Sequence, residues 1–335
     1  MIGRRILGGL FLSAILFQIY CDVRAFGASA LLGPVELVTA TVCIGMFSIN
    51  RLKGSMLGRS WRRFTNTAMQ YVLSLSAILA CFVLGALLFY VAAKGIHGLS
   101  FHLFTELPRP PGIEGGGMRN AIIGTLLLVL IASIGGIPVG LLAGIYVSCF
   151  SKGKLGDAVR FSADVLNGIP SVVIGLFAYA AFVLPFKHFS AWSGGLALSI
   201  MMVPTILRTT EEMIKMVPAS HLEGALALGA RRGYAVRTVV VPAAKNGIVT
   251  GVMLAIARVS GETAPLLFTA FGSGQLVLNP SQPVSSLTMQ IYQYAISPYD
   301  DWVAQAWSGA LVLLMMILSL NVAARVLTRR MSPAR

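Results

Sequence analysis

Four stretches of this chain run for more than 20 residues without a charged side chain: 64–93, 120–151, 165–186 and 302–324. About 20 consecutive apolar residues in a helix cross the hydrocarbon core of a bilayer, so each predicts a membrane span. Residues 189–207 add a fifth that is slightly short. Residues 246–271 make a sixth if Arg258 and Glu262 are sheltered inside a protein bundle, where a charge is tolerated. Ahead of these lie two weaker candidates, 6–21 and 31–49, the second carrying Glu36. Composition agrees: the chain is 56% hydrophobic and 11% charged with a mean hydropathy of +0.80, against about half and a quarter in soluble domains. The expectation is an all-α polytopic membrane protein with six core helices and one or two extra N-terminal ones.

A net charge of +14 raises the question of nucleic acid, and the distribution of the basic residues answers it. Twenty of the 26 fall in alternate inter-helix segments, beginning with Arg4 and Arg5 and ending with the four from Arg325 to Arg335. That is the positive-inside pattern, which predicts both termini in the cytoplasm and leaves nucleic-acid binding without support. Arg4-Arg5, the apolar run after them and Ala28-Ser29-Ala30 imitate a cleavable signal; a retained helix is expected, because two extra spans preserve the orientation of the main body. Cys21, Cys43, Cys81 and Cys149 lack C-x-x-C spacing, and His97, His102, His188 and His221 lack metal-ligand spacing, so no metal site or membrane-embedded enzyme is indicated.

The outer loop 94–119 is shaped by Pro108-Arg109-Pro110-Pro111 and Gly115-Gly116-Gly117. Within 272–301, the run LTMQIYQYAISPYD has the pattern of a short amphipathic helix whose apolar side lipid or a partner would bury. On the opposite side, Ser220-His221-Leu222-Glu223 has the form of a capping box, predicting a helix from about His221, a turn permitted by Gly229 and Gly233, and a second helix lying on the cytoplasmic face.

The spacing there carries more than the box. Glu223-Gly224-Ala225, three residues, Gly229, nine residues, then Val239, one residue and Val241-Pro242 resembles the E-A-A, three, G, nine, I-x-L-P signature of the permease subunits of ATP-binding-cassette importers. Gly stands for the first Ala, and Val for Ile and Leu. The stretches GIPSVVIGLF (168–177), TGVMLAIARVSGETAPLLFTA (250–270) and YQYAISP (292–298) resemble the phosphate permeases within that family. The similarity covers residues 61–330; residues 1–60 form an extension outside it, and 331–335 a cytoplasmic tail. The resemblance implies a type I, MetI-like importer transmembrane domain. It also implies a second homologous permease, an ATPase dimer that binds ATP and Mg, and an extracytoplasmic phosphate-binding protein docked on the 94–119 and 272–301 loops. The 221–233 element, with Glu223, Gly224, Ala225, Gly229 and Pro242, would be the coupling element. Consistent with ATP hydrolysis on another chain, no G-x-x-x-x-G-K-[ST] loop occurs here.

Charges inside spans mark pathways more often than they serve stability. Arg258 and Glu262, at i and i+4, would share one helix face, with Thr263 next to them. A guanidinium matches phosphate oxygens in bidentate geometry and stays charged, so Arg258 is the candidate anion contact, with Glu262 moderating its attraction. Arg208, followed by Glu211 and Glu212, is a candidate second gate or a snorkelling side chain. The alternative cargo is another oxyanion or small solute. A secondary transporter gives no reason for the Glu223 to Pro242 spacing.

Overall fold

In this computed structural model residues 59–110, 113, 115–151 and 153–330 are described. The two N-terminal candidate spans, 6–21 and 31–49, and the tail 331–335 lie outside them. The element order is α1 (Arg59–His97), α2 (Phe101–Thr105), α3 (Arg119–Cys149), α4 (Lys154–Gly168), α5 (Ser171–Phe186), α6 (Ala191–Lys215), α7 (Ala219–Ala227), α8 (Arg232–Ser260), α9 (Ala264–Thr269), α10 (Leu287–Ala295) and α11 (Asp300–Arg330). Among the described residues five helices are long and apolar enough to cross a membrane, and a sixth span forms if α4 and α5 are taken together across a 105° bend. The chain divides between Leu88 and Phe89 into two units, and the second carries the bundle.

The charge-free run 165–186 is divided at Gly168-Ile169-Pro170, where Gly and Pro allow a helix to bend or start. Ile169 adopts an extended conformation (ψ 132°), as a residue before proline is pushed to do, and the α4 ladder ends there. Pro170 then caps α5 with an extended ψ of 137°. A π turn over Tyr179–Val183 lies within α5, and a second over Val236–Val240 within α8. Pro242 lies just past that second turn, where its missing N–H costs less because the hydrogen-bond register is already shifted.

The central contact is between α3 and α6. Gly136, Gly140 and Gly144 on α3 face Met202, Ile206 and Thr210 on α6, each series repeating every fourth residue. A Cβ at any of these glycines would come within 2.9 Å of its α6 partner. Small residues at this spacing let two membrane helices pack backbone to side chain. Leu128 and Ile131 of α3, Leu198, Met202 and Ile206 of α6, Ala255 and Val259 of α8 and Leu266 of α9 belong to one buried cluster around this contact.

The segment 272–301 differs from its expectation in what covers it. It does contain a helix, α10, capped by Ser286 Oγ accepting from the Met289 amide. Yet Leu287, Met289 and Tyr294 are buried within the chain, against α3 and α11. Thr125 Oγ1 accepts from the Leu287 amide at 2.8 Å, and the Ser285 carbonyl lies so close to Gly124 that an added Cβ there would overlap it. Tyr294 stacks on Trp302 at 4.5 Å between ring centroids. Burial raises the Tyr294 phenol above its ordinary range, while Gln290 Nε2 donating to its oxygen pulls the other way. Thus α10 is a plug whose apolar face the chain itself covers. Gly124→Ala should cost about 1–3 kcal/mol through overpacking against a carbonyl that cannot retreat. Gly274→Ala, where an added Cβ meets nothing within 4 Å, should leave thermal unfolding in detergent unchanged.

Candidate functional site

Helices α4 and α6 run antiparallel, and three pairs of side chains join them one turn apart. Arg160 Nε donates to Glu211 Oε1 at 2.6 Å. Arg208 Nε donates to Asp164 Oδ1 at 2.8 Å, with Arg208 Nη2 on the other Asp164 oxygen. Thr205 Oγ1 donates to Asn167 Oδ1 at 3.5 Å. Positions 160, 164 and 167 ascend α4 while 211, 208 and 205 descend α6, so the three contacts form a ladder. On α4 the polar set 157, 160, 164 and 167 keeps helical spacing, which places it on one face.

Glu211 is the buried rung: its side chain is 1% exposed, while Arg160 and Arg208 are about a quarter exposed. Three cations surround it. Besides Arg160, Arg208 Nη1 donates to Oε2 at 3.0 Å and Lys215 Nζ to Oε1 at 2.6 Å. Asp157 also accepts from Arg160 Nη1 at 3.0 Å. Counting Arg160, Arg208 and Lys215 against Asp157, Asp164 and Glu211, the cluster is neutral. A buried charge is tolerable when paired and hydrogen-bonded in this way. The arginines also satisfy backbone: Arg160 Nη2 donates to Val147 O at 3.0 Å, and Arg232 Nη2 to Cys149 O at 2.5 Å. Both carbonyls are in the last turn of α3, where four C=O groups lack intrahelical partners and the helix dipole favours cations.

These contacts change the reading of Arg208. It neither stands over Glu212, which is exposed, nor snorkels, because its guanidinium is taken up by Asp164, Glu211 and the Arg160 carbonyl. Arg160, Asp164, Asn167 and Thr205 are ladder members that sequence reasoning missed. The i, i+3, i+7, i+10 spacing of the α4 set was the available signal.

Arg258 differs. The expectation that Arg258 and Glu262 share a helix face is not met, for α8 ends at Ser260 with Gly261 as its cap, and Glu262 and Thr263 occupy the break before α9. Pro265 at the start of α9 prevents a single continuous helix over 246–271. Among the described residues no carboxylate lies within ion-pair distance of Arg258. Its guanidinium meets Thr205 Oγ1, which accepts from Nη1 at 3.4 Å. Arg258 is on the side of α8 that also carries Thr250 and Leu254. The Glu262 carbonyl instead accepts from Thr288 Oγ1 at 2.9 Å, anchoring the break to the α10 plug.

At the other end of α8, the helix α7 begins at Ala219 with Pro218 as its cap and no side-chain capping bond. The expected capping box therefore does not form: Ser220 is already the second helical residue, and Glu223 projects exposed. The turn is formed as expected at Gly229, whose φ is +83°. Ala230 N donates to Ala225 O at 3.1 Å and Gly229 N to Leu226 O at 2.9 Å, a Schellman closure that needs a residue tolerating left-handed backbone. The second helix starts at Arg232 and continues directly into the spanning α8, so it is not a separate surface helix. Leu222 packs α7 against the buried cluster formed by Cys149 of α3, Ile214 of α6 and Val236 and Val240 of α8. A Cβ added at Gly224 would meet nothing within 4 Å, and Leu228 and Tyr234 are 91% and 66% exposed.

Removing one partner of a buried ion pair strands the rest, at a cost of about 3–5 kcal/mol. Glu211→Ala should therefore lower the thermal unfolding temperature in detergent markedly, whereas Glu212→Ala should leave it nearly unchanged.

Residues 136–333 match the family described as binding-protein-dependent transport system inner membrane component. The chain is 42% identical over 271 residues to the phosphate transport system permease protein PstA of Yersinia pestis, covering 80% of this chain and 92% of that one. It is 41% identical over 267 residues to PstA of Haemophilus influenzae, covering 79% and 94%. Among solved structures, a chain of the inward-facing MetNI methionine ABC transporter aligns with a TM-score of 0.51 at 19% identity, covering 64% of this chain and 94% of that one. A chain of a bacterial ABC transporter involved in alginate import aligns at 0.55 and 14%, covering 81% and 100%. The two structures share the fold, and the relatives share the sequence through most of its length. The chain belongs to the phosphate transport system permease PstA family, within the inner membrane components of binding-protein-dependent transport systems.

Proposed function

We propose that this chain is the permease subunit of an ATP-driven importer of inorganic phosphate. The observation that carries the substrate side is the contrast between two arginines on neighbouring helices. Arg208 is neutralised by carboxylates, while Arg258 presents an uncompensated guanidinium beside Thr205. An anion in transit needs a cation that is not already paired, held weakly enough to let the anion leave. Family membership supports phosphate as that anion, since the relatives are phosphate permeases by name.

The coupling side rests on α7. Its exposed face, with Glu223, Gly224 and Leu228, fits docking on a partner ATPase that binds ATP and Mg. Gly224 allows close approach, and Ala225 and Gly229 shape the closing turn. Because Leu222 packs against the cluster that joins Ile214 to Val236, a push on α7 reaches the base of α6 and α8 together. Those two helices carry Thr205 and Arg258. ATP-driven movement of α7 would thereby alter the anion contact. In this reading both termini are cytoplasmic, and a second homologous permease completes the route. The loops at the opposite end receive phosphate from an extracytoplasmic binding protein.

Radiolabelled phosphate uptake, with the chain co-expressed with its transporter subunits in cells lacking another high-affinity importer, tests both halves. Arg258→Gln should abolish uptake while the complex still assembles, and wild-type uptake by that variant would remove Arg258 from the route. Glu223→Lys should lose uptake by uncoupling the ATPase; retained uptake with normal ATPase stimulation would place coupling elsewhere.

A further inference from the structure

Thr205 has one hydroxyl hydrogen, donated to Asn167 Oδ1 at 3.5 Å, and its oxygen accepts from Arg258 Nη1 at 3.4 Å. The chain of contacts therefore runs from α8 through α6 to the last turn of α4. It leaves a particular inventory: among the described residues, the remaining guanidinium N–H groups of Arg258 and the amide NH₂ of Asn167 are donors with no acceptor in hydrogen-bond range. Asp164, one turn from Asn167 on α4, is held by Arg208 and does not cancel the positive field. Both contacts are long for hydrogen bonds, so each can be exchanged for a stronger one to a charged oxygen.

We propose that Asn167 and Thr205 act with Arg258 as one composite contact for a small tetrahedral oxyanion. Thr205 orients the guanidinium and Asn167 supplies donors to a second anion oxygen. This deepens the proposed phosphate route and rests on Arg258 being its cation. The position of Asn167 is not incidental. It stands just before the Gly168-Ile169-Pro170 break, at the free end of α4, and the two rungs below it, Asp164 with Arg208 and Arg160 with Glu211, fix the distance between α4 and α6. A movement of α8 relative to that fixed pair carries Arg258 away from Thr205 and Asn167, dividing the donor set. The contact is complete in one arrangement and incomplete in another, as an intermediate station for a transported anion requires.

The test uses the assembled transporter with its binding protein in proteoliposomes, reading radiolabelled phosphate accumulation per complex. Thr205→Val keeps the shape and removes the hydroxyl; Thr205→Ser keeps the hydroxyl. The expected result is a fall of about tenfold or more for Thr205→Val, as for loss of a hydrogen bond to a charged group, and near-wild-type transport for Thr205→Ser. Asn167→Ala should fall similarly, and Asn167→Asp further, since its carboxylate faces the same anion. Co-purification of the permease pair and ATPase shows that each variant assembles. Thr205→Val and Asn167→Ala at wild-type rates, with Arg258→Gln inactive, would overturn the composite contact and leave Arg258 as the sole anion group. Wild-type transport by Arg258→Gln would overturn the underlying reading itself. Equal losses in Thr205→Ser and Thr205→Val would assign Thr205 a packing role and also overturn the proposal.

Discussion

The packing of the polar end of this bundle depends on a single buried carboxylate. Glu211 is almost completely excluded from solvent and is held by Arg160, Arg208 and Lys215. No apolar substitution satisfies three cations, and no one of the cations replaces another's geometry. Arg160 also binds the end of α3, and Arg208 also binds Asp164 on α4. Three helices are thus fixed relative to one another by one side chain and its immediate partners. The close glycine contacts between α3 and α6 add van der Waals packing along the rest of their length, where no charges are available.

From that constraint the arrangement of the proposed route follows. The ladder uses up Asp164 and Glu211, the carboxylates between α4 and α6, so the next cation, Arg258 on α8, remains uncompensated. The break at Gly261 removes Glu262 from the Arg258 face and ties it by its carbonyl to Thr288. A charge pair that looks self-neutralising in sequence is in the fold an isolated cation and a separate acidic residue. The same bundle base receives α7, the proposed coupling element, whose Leu222 packs on a cluster that includes Ile214 of α6, the helix that also carries the ladder.

The all-α class and the spans over 64–93, 120–151 and 302–324 were legible because a charge-free run of bilayer length has few alternatives. The turn at Gly229 was legible for a similar reason, since a left-handed closure strongly favours glycine. The capping box misled because Pro218 begins the helix earlier than Ser220 does. The division of the 165–186 run was legible at Gly168 and Pro170, where a helix bends or starts, but the size of the bend was not. The ladder was mostly hidden. Helical spacing on α4 puts Arg160, Asp164 and Asn167 on one face, but which helix faces them, and in what register, is decided by tertiary packing. Likewise α10 reads as an amphipathic surface helix, and only the fold shows its apolar side covered by α3 and α11.

At the centre of the proposed route is a positive charge at position 258, reachable from water, that carries the anion. Chemical restoration of that charge addresses it directly. In a chain whose native cysteines are replaced, Arg258→Cys can be treated with a cationic or a neutral thiosulfonate of similar size, and phosphate uptake measured before and after. Recovery with the cationic reagent and none with the neutral one is the predicted result. Equal effects of the two reagents on a complex that is modified and assembled would show that charge at this position is not what transport requires.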